Sequence, residues 1–183
     1  TRYGIFYEDI NHAADGGLYA ELVRNRSFAY YPAGQSLEEG NAVRRTGSCW
    51  EKVELGDGVC QAFVDDADPL HEHNAEHVVV RIVNPGTGVG VANTGYNGIY
   101  VVEGDTYDFS FYARRTASLD SPFRIAIENA AGEVAGEGTI ARISSEWARY
   151  TVPIRATKTL EDARLVITTT GEGEVRMDLI SLF

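Results

Sequence analysis

The stretch YDFSF, at Tyr107–Phe111, decides the fold class, because its aromatic and polar residues alternate with a period of two. Successive side chains of a β-strand point to opposite faces of a sheet, so the three aromatic residues would share one face while Asp108 and Ser110 point away from it. One apolar and one polar face are typical of an antiparallel sheet that covers a core on one side. The stretch therefore predicts a half-buried antiparallel strand.

The same alternation recurs on both sides of this stretch. It is seen around Val78–Ile82, Phe123–Ile127 and Tyr150–Ile154, and two further apolar runs follow at Leu165–Ile167 and Val175–Leu182. Turn sequences separate these runs, at Asn84-Pro85-Gly86, Glu103-Gly104-Asp105 and Ala131-Gly132. Many short strands joined by turns predict a mainly β fold, a two-sheet antiparallel sandwich.

The beginning of the chain has a different pattern. Tyr3–Phe28, YGIFYEDINHAADGGLYAELVRNRSF, contains a short apolar run, a loop with Gly16 and Gly17, and apolar residues at helical spacing that include Leu22 and Val23. Such an order predicts a short strand-loop-helix segment ahead of the sandwich.

Two interpretations of this segment are open from its residues. The strand could join the sandwich, with the helix packed outside it, since sequential elements usually stay adjacent. Alternatively, the segment is the first βα unit of a (β/α)8 barrel whose other units lie beyond residue 183. Functional residues of such barrels sit where strands end, a position held here by Glu8, Asp9, Asn11 and His12.

The segment Gly4–Phe28 closely resembles the N-terminal part of the arabinofuranosidases of glycoside hydrolase family 51, in the branch that carries an additional β-sandwich. A second block, GVGVANTGYNGI at Gly88–Ile99 followed by SFYAR at Ser110–Arg114, is similar to the sandwich module inserted after the first barrel unit of that branch. The resemblance implies a jelly-roll or galactose-binding-like sandwich.

These observations divide the chain into three parts. Residues 1–30 would be the first βα unit of the barrel, which is incomplete here. Residues 31–48 are rich in Gly, Pro, Ser and charge and read as a linker. Residues 49–183 would form a β-sandwich similar to carbohydrate-binding modules. The expectation is an excised N-terminal piece of a longer enzyme.

The resemblance also implies a chemistry. The family hydrolyses terminal α-L-arabinofuranosyl groups of arabinan and arabinoxylan with retention, using two carboxylates as acid/base and nucleophile. Both catalytic glutamates would lie outside this chain, so we expect it to be inactive alone. Glu8 matches the family glutamate that contacts the bound arabinofuranosyl group, and Asp9, Asn11 and His12 would shape the same rim. An exposed acidic pair at a strand end is the alternative for Glu8 and Asp9.

The sandwich contains a second candidate site for carbohydrate. Aromatic rings pack on the apolar side of a sugar while a few polar groups fix its hydroxyls. Candidate residues of these types are Asn93, Tyr96, Asn97, Tyr100, Trp50 and Trp147. The alternatives are a turn at 93–97 and core packing for the tryptophans, in which case the sandwich would only brace the barrel or a subunit contact.

No metal or cofactor is assigned from the sequence. His71, His73 and His77 are close together, but Ala75 stands where an H-E-x-x-H zinc motif needs its second histidine. The resemblance implies that Asp178 lies where the closing strand of related modules sometimes gives a ligand to a structural Ca²⁺, but no set of oxygen ligands can be assembled around it.

The two cysteines, Cys49 and Cys60, flank a predicted hairpin turn at Gly56-Asp57-Gly58. Antiparallel register would place Cys60 opposite Glu54, so we expect two free thiols. Free thiols fit a reducing compartment, but two cysteines carry little weight, and both a cytoplasmic and a secreted location remain open.

Charge narrows the range of partners. Acidic residues outnumber basic ones by 27 to 16, which gives a net charge of −11 without any basic run. Nucleic acid is therefore an unfavourable partner, and no apolar run is long enough for a membrane span. Arabinose-containing glycans are the expected partner. Apolar residues of the predicted helix, Tyr19, Leu22 and Phe28, would lack a barrel to cover them and predict self-association of the isolated piece.

Overall fold

The computed structural model describes residues 20–29, 31–37 and 49–183. This part of the chain contains eleven β-strands and no helix, so none of it forms a helix that could cross a membrane. The strands are β1 Trp50–Leu55, β2 Val59–Asp65, β3 His77–Asn84, β4 Gly88–Asn93, β5 Ile99–Val101, β6 Thr106–Arg115, β7 Phe123–Glu128, β8 Val134–Ile140, β9 Ala148–Arg155, β10 Leu160–Thr169 and β11 Gly173–Leu182.

The strands form two antiparallel sheets, which confirms the predicted sandwich. The first sheet has the order β1-β4-β10-β7-β8, with β5 paired to the start of β10. The second has the order β2-β3-β11-β6-β9. The core lies between them, where the rings of Phe111 in β6 and Phe123 in β7 are 6.5 Å apart. Phe109 and Phe111 are fully buried and Asp108 is exposed, as the alternation predicts.

Strand β4 shows why its glycines are needed. It lies between β1 and β10, and all six of its residues are buried. A Cβ added to Gly90 would lie 1.8 Å from the carbonyl oxygen of Ile167, so only glycine allows β10 to lie at this distance. The first half of the glycine-rich block that carried the resemblance, Gly88–Asn93, is therefore a central strand of the first sheet.

The predicted hairpin between Cys49 and Cys60 is wrong. β1 pairs with β4 and β2 pairs with β3, so the two strands belong to different sheets. The turn between them is present, with Gly58 N donating to Leu55 O at 3.0 Å, but it carries the chain from one sheet to the other. Both cysteines are nevertheless buried thiols that form no disulfide with each other, as expected, although the reason is not the predicted hairpin.

The predicted helix is also wrong over residues 20–29, which follow a series of bends and turns. Asn25 and Phe28 have φ values of 50° and 58°, in the left-handed region that interrupts a right-handed helix. The apolar residues that suggested a helix are apolar for another reason: Val23 and Phe28 are buried in the sandwich core. Phe28 is thus covered within the chain and Leu22 is half-buried, which removes their part of the argument for self-association; Tyr19 lies outside the described residues.

Residues 31–37, from the predicted linker, run along β2. Gly34 N donates to Val64 O at 2.7 Å, and Leu37 N donates to Ala62 O at 2.8 Å. Tyr31 and Leu37 are buried in the main core. The described part of this stretch is therefore packed on the sandwich.

Candidate functional site

The four residues predicted for the barrel rim, Glu8, Asp9, Asn11 and His12, lie outside the described residues. Their site role stays a prediction. The chain is described from residue 20 onward, and the geometry there shows how the sandwich holds the segment that follows the predicted rim.

That segment is bonded to the last strand. Leu22 N donates to Leu182 O at 2.9 Å, and Ile180 N donates to Arg26 O at 3.0 Å. The carboxylate of Glu21 accepts from Leu182 N at 2.9 Å and from the hydroxyl of Ser181. β11 is irregular between Asp178 and Ser181, and Leu179 has a φ of 48°. This irregularity adjoins the part of β11 that binds residues 21–26.

Asn93, a predicted sugar contact, is a structural residue. Its side chain is fully buried at the end of β4. Its Oδ1 accepts from Gly95 N at 2.9 Å and Arg24 N at 3.2 Å, and its Nδ2 donates to Arg24 O at 2.9 Å. Both ends of the amide are occupied, so Asn93 joins the N-terminal segment to β4 and is not available to a ligand.

Trp50, another predicted sugar contact, is buried in the core. Its ring stacks on Phe28 with centroids 4.9 Å apart, and its Nε1 donates to Asn25 O at 2.9 Å. A sugar cannot reach either ring face. The prediction for this residue is therefore corrected in favour of core packing.

Trp147 is half-buried and largely enclosed by neighbours. The guanidinium of Arg114 lies 5.4 Å from its ring centroid, and the ring of His77 meets it edge-on at 5.5 Å. Its Nε1 donates to Asp68 O at 3.2 Å. Trp147 therefore packs against Arg114 and His77 on the outer face of the second sheet.

Tyr96, Asn97 and Tyr100 are the predicted sugar contacts that remain exposed. They lie in and just after the turn between β4 and β5, and the exposed fractions of the two tyrosines are 66% and 42%. The turn is fixed by a hydrogen bond from Gly98 N to Thr94 O at 2.8 Å, and Asn97 has a φ of 118°, which is unusual for a residue with a side chain. The guanidinium of Arg24 lies 5.6 Å from the Tyr96 ring centroid.

The histidines do not gather into a metal site. No group of three or more His, Cys, Asp or Glu residues within the described ranges could hold a metal ion. His71 and His73 contact each other at 5.4 Å, whereas His77 is fully buried. His77 Nδ1 is 2.9 Å from Ala75 O, and its Nε2 is 2.9 Å from Arg176 Nη1, so the partners assign a proton to Nδ1. Burial lowers the pKa of this imidazole, which favours its neutral form.

Asp178 is a fully buried carboxyl in β11. Its Oδ1 accepts from Leu179 N at 2.7 Å, and its Oδ2 accepts from Asn74 Nδ2 at 3.4 Å. Burial raises the pKa of Asp178 to about 7 in spite of these bonds. Asn74 is its hydrogen-bonded side-chain partner, and among the described residues Asp178 belongs to no group of three or more His, Cys, Asp or Glu residues that could hold a metal ion, whereas calcium takes six to eight oxygen ligands.

Comparison with known proteins places this geometry in context. The chain is 39% identical over 184 residues to an extracellular exo-α-L-arabinofuranosidase of Streptomyces chartreusis, a match that covers all of this chain and 20% of that relative. The homologues of this chain are α-L-arabinofuranosidases, and the chain corresponds to a part of such a protein. It spans about a fifth of the length of this curated relative. No family model matches the sequence.

Solved structures of arabinofuranosidases and carbohydrate-binding modules share the fold. An arabinose-bound family 51 α-L-arabinofuranosidase superposes with a TM-score of 0.73 and 24% identity, over 99% of this chain and 29% of that one. A family 4 carbohydrate-binding module superposes with a TM-score of 0.60 and 16% identity, over 87% of this chain and 97% of the module. The second match corresponds to a complete module, which confirms that the sandwich has this architecture.

The sequence did not predict one cavity of the sandwich. A cavity lined by Arg114, Arg115, Thr116, Glu174 and Arg176 opens between the ends of β6 and β11. Its only sequence signal is the Arg114-Arg115 pair at the end of a strand, which by itself is a common surface feature.

Proposed function

We propose that this chain is one segment of an enzyme that hydrolyses terminal α-L-arabinofuranosyl groups of arabinan or arabinoxylan. The 39% identity to an exo-α-L-arabinofuranosidase over the whole chain is the observation that supports this most directly. The chemistry would be retaining glycoside hydrolysis by two carboxylates that this chain does not supply. The chain alone should therefore be inactive on a chromogenic arabinofuranoside. Activity of the pure chain that Glu8→Gln abolishes would contradict this proposal.

Within the whole enzyme, Glu8 would hold hydroxyls of the arabinofuranosyl group without breaking the bond. Asp9, Asn11 and His12 would line the same rim. The resemblance of Gly4–Phe28 to the family is the support for these roles. Glu8→Gln in the full-length enzyme should lower kcat/KM on an arabinofuranoside while the free energy of unfolding stays unchanged. An unchanged kcat/KM would remove Glu8 from the site.

The sandwich would recognise carbohydrate through Tyr96, Asn97 and Tyr100. Their exposure on a turn held by backbone hydrogen bonds supports this, and so does the fold shared with a carbohydrate-binding module. An exposed ring on a fixed turn can stack on a sugar with little loss of conformational entropy. Asn97 adds an amide for hydroxyl groups.

The test is an NMR titration of the chain with arabino-oligosaccharides, with xylo- and cello-oligosaccharides as controls. Saturable shifts at residues 94–100 would support recognition. Tyr96→Ala should abolish them, whereas Tyr96→Phe, which keeps the ring, should retain most of the affinity. Absence of saturable shifts in the native chain would reject this role.

The second candidate function is mechanical. Residues 21–26 are bonded to β11, and Phe28 is packed in the core, so the sandwich holds the chain that follows the proposed rim. A brace of this kind would set the position of Glu8 in the whole enzyme. Replacement of Glu21 by Gln should then lower kcat/KM of the whole enzyme without changing retention on arabinan, the opposite of the result expected for Tyr96→Ala.

A further inference from the structure

The ring of Tyr96 lies beside a guanidinium group. Cζ of Arg24 is over the ring, 5.6 Å from its centroid. Among residues 20–29, 31–37 and 49–183, no other aromatic ring contacts the Tyr96 ring, and 66% of this residue is exposed. A guanidinium within about 6 Å of a ring centroid is attracted by the electron-rich face of the ring. Arg24 therefore covers one face of Tyr96, and the other face is open to solvent.

Arg24 is a suitable support for the ring because its own backbone is anchored in the sandwich. Its N–H donates to Asn93 Oδ1 at 3.2 Å, and its carbonyl oxygen accepts from Asn93 Nδ2 at 2.9 Å and from Cys49 Sγ at 3.2 Å. Asn93 and Cys49 are both buried. The guanidinium is thus attached to a fixed backbone, and only its side-chain torsions are left to be restricted.

The guanidinium of Arg24 is not engaged by an acidic side chain. None of the ion pairs in the part of the chain that the structure describes includes Arg24, whereas Arg26, two residues later, lies 3.8 Å from Glu21. A carboxylate beside Arg24 would compete with the ring for the guanidinium. Without that competition, the Tyr96 ring is the side chain against which the guanidinium of Arg24 lies.

The turn that carries Tyr96 is held on both sides. A Cβ added to Gly95 would lie 3.0 Å from Leu22 O, and one added to Gly98 would lie 3.1 Å from Asp162 Cα. Backbone contacts this close mean that the turn lies against the N-terminal segment on one side and against β10 on the other. The backbone of Tyr96 therefore has little freedom, and the freedom that remains is in the two side-chain torsions of the ring.

We propose that Arg24 is a positioning residue of the sugar site, holding the Tyr96 ring so that its open face stacks on a single arabinofuranosyl unit. This inference rests on the carbohydrate recognition proposed above and adds a residue and a ligand to it. Because Arg24 occupies the opposite face, the ring can stack on only one sugar unit at a time. Fixing the ring in advance removes part of the entropy that binding would otherwise cost.

The first measurement needs no sugar. Protons above the face of an aromatic ring are shifted upfield in NMR spectra by the ring current. The side-chain protons of Arg24 should therefore be shifted upfield in the native chain and return toward ordinary values in Tyr96→Ala. The side-chain protons of Arg26 are the control and should not respond to this substitution. Ordinary shifts for Arg24 in the native chain would overturn the positioning role.

The second measurement is an NMR titration of the chain with methyl α-L-arabinofuranoside and with arabinotriose. We expect saturable shifts at residues 94–100 with both ligands. Arg24→Ala should weaken both by about two- to fivefold, the factor that an exposed cation–π contact contributes. Arg24→Lys, which keeps the cation, should recover part of this loss. Arg26→Ala removes the same charge two residues later and should leave the affinity unchanged.

A purely structural role of Arg24 is tested on the same variants. Its hydrogen bonds to Asn93 and Cys49 use backbone atoms, so Arg24→Ala should leave the midpoint of urea unfolding unchanged. Weaker sugar binding at an unchanged midpoint, with partial rescue by Arg24→Lys, supports the positioning role. A lowered midpoint that Arg24→Lys does not restore would overturn it.

The outcomes also separate this inference from the recognition on which it rests. Unchanged affinity in Arg24→Ala, or an equal loss in Arg26→Ala, would overturn the positioning role and leave recognition at Tyr96 standing. Binding of arabinotriose without binding of the methyl glycoside would overturn the single sugar unit as ligand. No saturable binding of either sugar by the native chain would overturn both proposals.

Discussion

The indole ring of Trp50 stacks on the phenyl ring of Phe28, with centroids 4.9 Å apart and ring planes 29° apart. Phe28 precedes the first strand by more than twenty residues, yet it is fully buried in the core between the two sheets. Trp50 also donates its Nε1 hydrogen to the carbonyl of Asn25. Residues 20–29 are therefore a structural part of the sandwich.

Phe28→Ala should lower the free energy of unfolding by about 3–5 kcal/mol, the usual cost of removing a fully buried phenylalanine ring. Urea unfolding followed by tryptophan fluorescence measures it, because Trp50 lies against the lost ring. Phe183→Ala is the matched control, since Phe183 is 41% exposed, and should cost less than about 1 kcal/mol. Equal small losses at both positions would show that residues 20–29 are not part of the folding unit.

Asn93→Ala should also destabilise the chain. The substitution leaves Arg24 N and Gly95 N without acceptors, and each buried unsatisfied group costs about 1–3 kcal/mol. We expect a loss of at least about 2 kcal/mol in urea unfolding, with arabino-oligosaccharide binding retained at temperatures where the variant is folded. Loss of binding in a variant of native stability would instead make Asn93 a ligand contact.

Asn97→Gly, four residues later, should have the opposite effect on stability. The φ of 118° at Asn97 is unfavourable for any residue with a Cβ and costs on the order of 1–3 kcal/mol. Glycine adopts this angle without strain, so a gain of about 1 kcal/mol is expected after its greater unfolded-state entropy is counted. Thermal unfolding measures the change, and Asn97→Ala, which keeps the strain, is the control. A destabilised Asn97→Gly variant would mean that the amide makes a structural contact.

The strands that the sequence predicted are those whose apolar residues recur with a period of two or form an apolar run. The alternation of Phe109 and Phe111 identified β6, because that strand covers the core on one side. β4 escaped because both of its faces are buried and Gly88 and Gly90 stand where apolar side chains would show a period. The pairing of β1 was missed for another reason: a tight glycine turn can close a hairpin or cross between sheets, and residues near the turn do not distinguish the two.

The sequence predicted correctly which candidate sugar contacts are exposed only for the residues that lie in a turn. Tyr96 and Asn97 lie in a glycine-rich turn and are exposed as expected, whereas Trp50 and Asn93 are buried by residues 24–28, whose position depends on contacts distant in sequence. The helical spacing of the apolar residues that include Leu22 and Val23 gave a wrong helix prediction for the same reason, because the position of this segment also depends on contacts distant in sequence.

The thiol of Cys49 should react slowly in the native chain. Burial raises its pKa, and its Sγ donates to Arg24 O at 3.2 Å, so little of the reactive thiolate is present near neutral pH. Reaction with a chromogenic disulfide reagent at pH 8 should be at least ~100-fold slower than in denaturant, because it requires local opening. Asn93→Ala, which loosens residues 24–28, should raise the rate at Cys49 in a Cys60→Ser background. A fast native rate would contradict the buried position of this cysteine.

The last prediction concerns pH and the buried carboxyl of Asp178. Its pKa is about 7 in the folded chain, against about 3.9 for an unfolded aspartate. Between these values the folded state holds a proton that the unfolded state releases, so this group lowers stability as pH rises from about 4 to about 7, and the loss is complete above that range. The neighbouring charges are Arg26, which lowers the pKa, and Glu76, which raises it, but burial outweighs both.

Asp178→Asn should therefore leave stability near pH 4 almost unchanged and raise it at pH 8 by roughly 2–4 kcal/mol, since one pKa unit corresponds to about 1.4 kcal/mol. An asparagine Oδ1 can still accept from Leu179 N, and the amide of Asn74 can turn its oxygen toward the new Nδ2. Urea unfolding at pH 4, 6 and 8 measures the effect. Glu133→Gln, at an exposed carboxylate that pairs with Lys158 in the turn before β8, is the control and should not reproduce the gain at pH 8. A wild-type pH profile in Asp178→Asn would show that Asp178 is ionised at ordinary pH in the folded chain and that another group neutralises its charge.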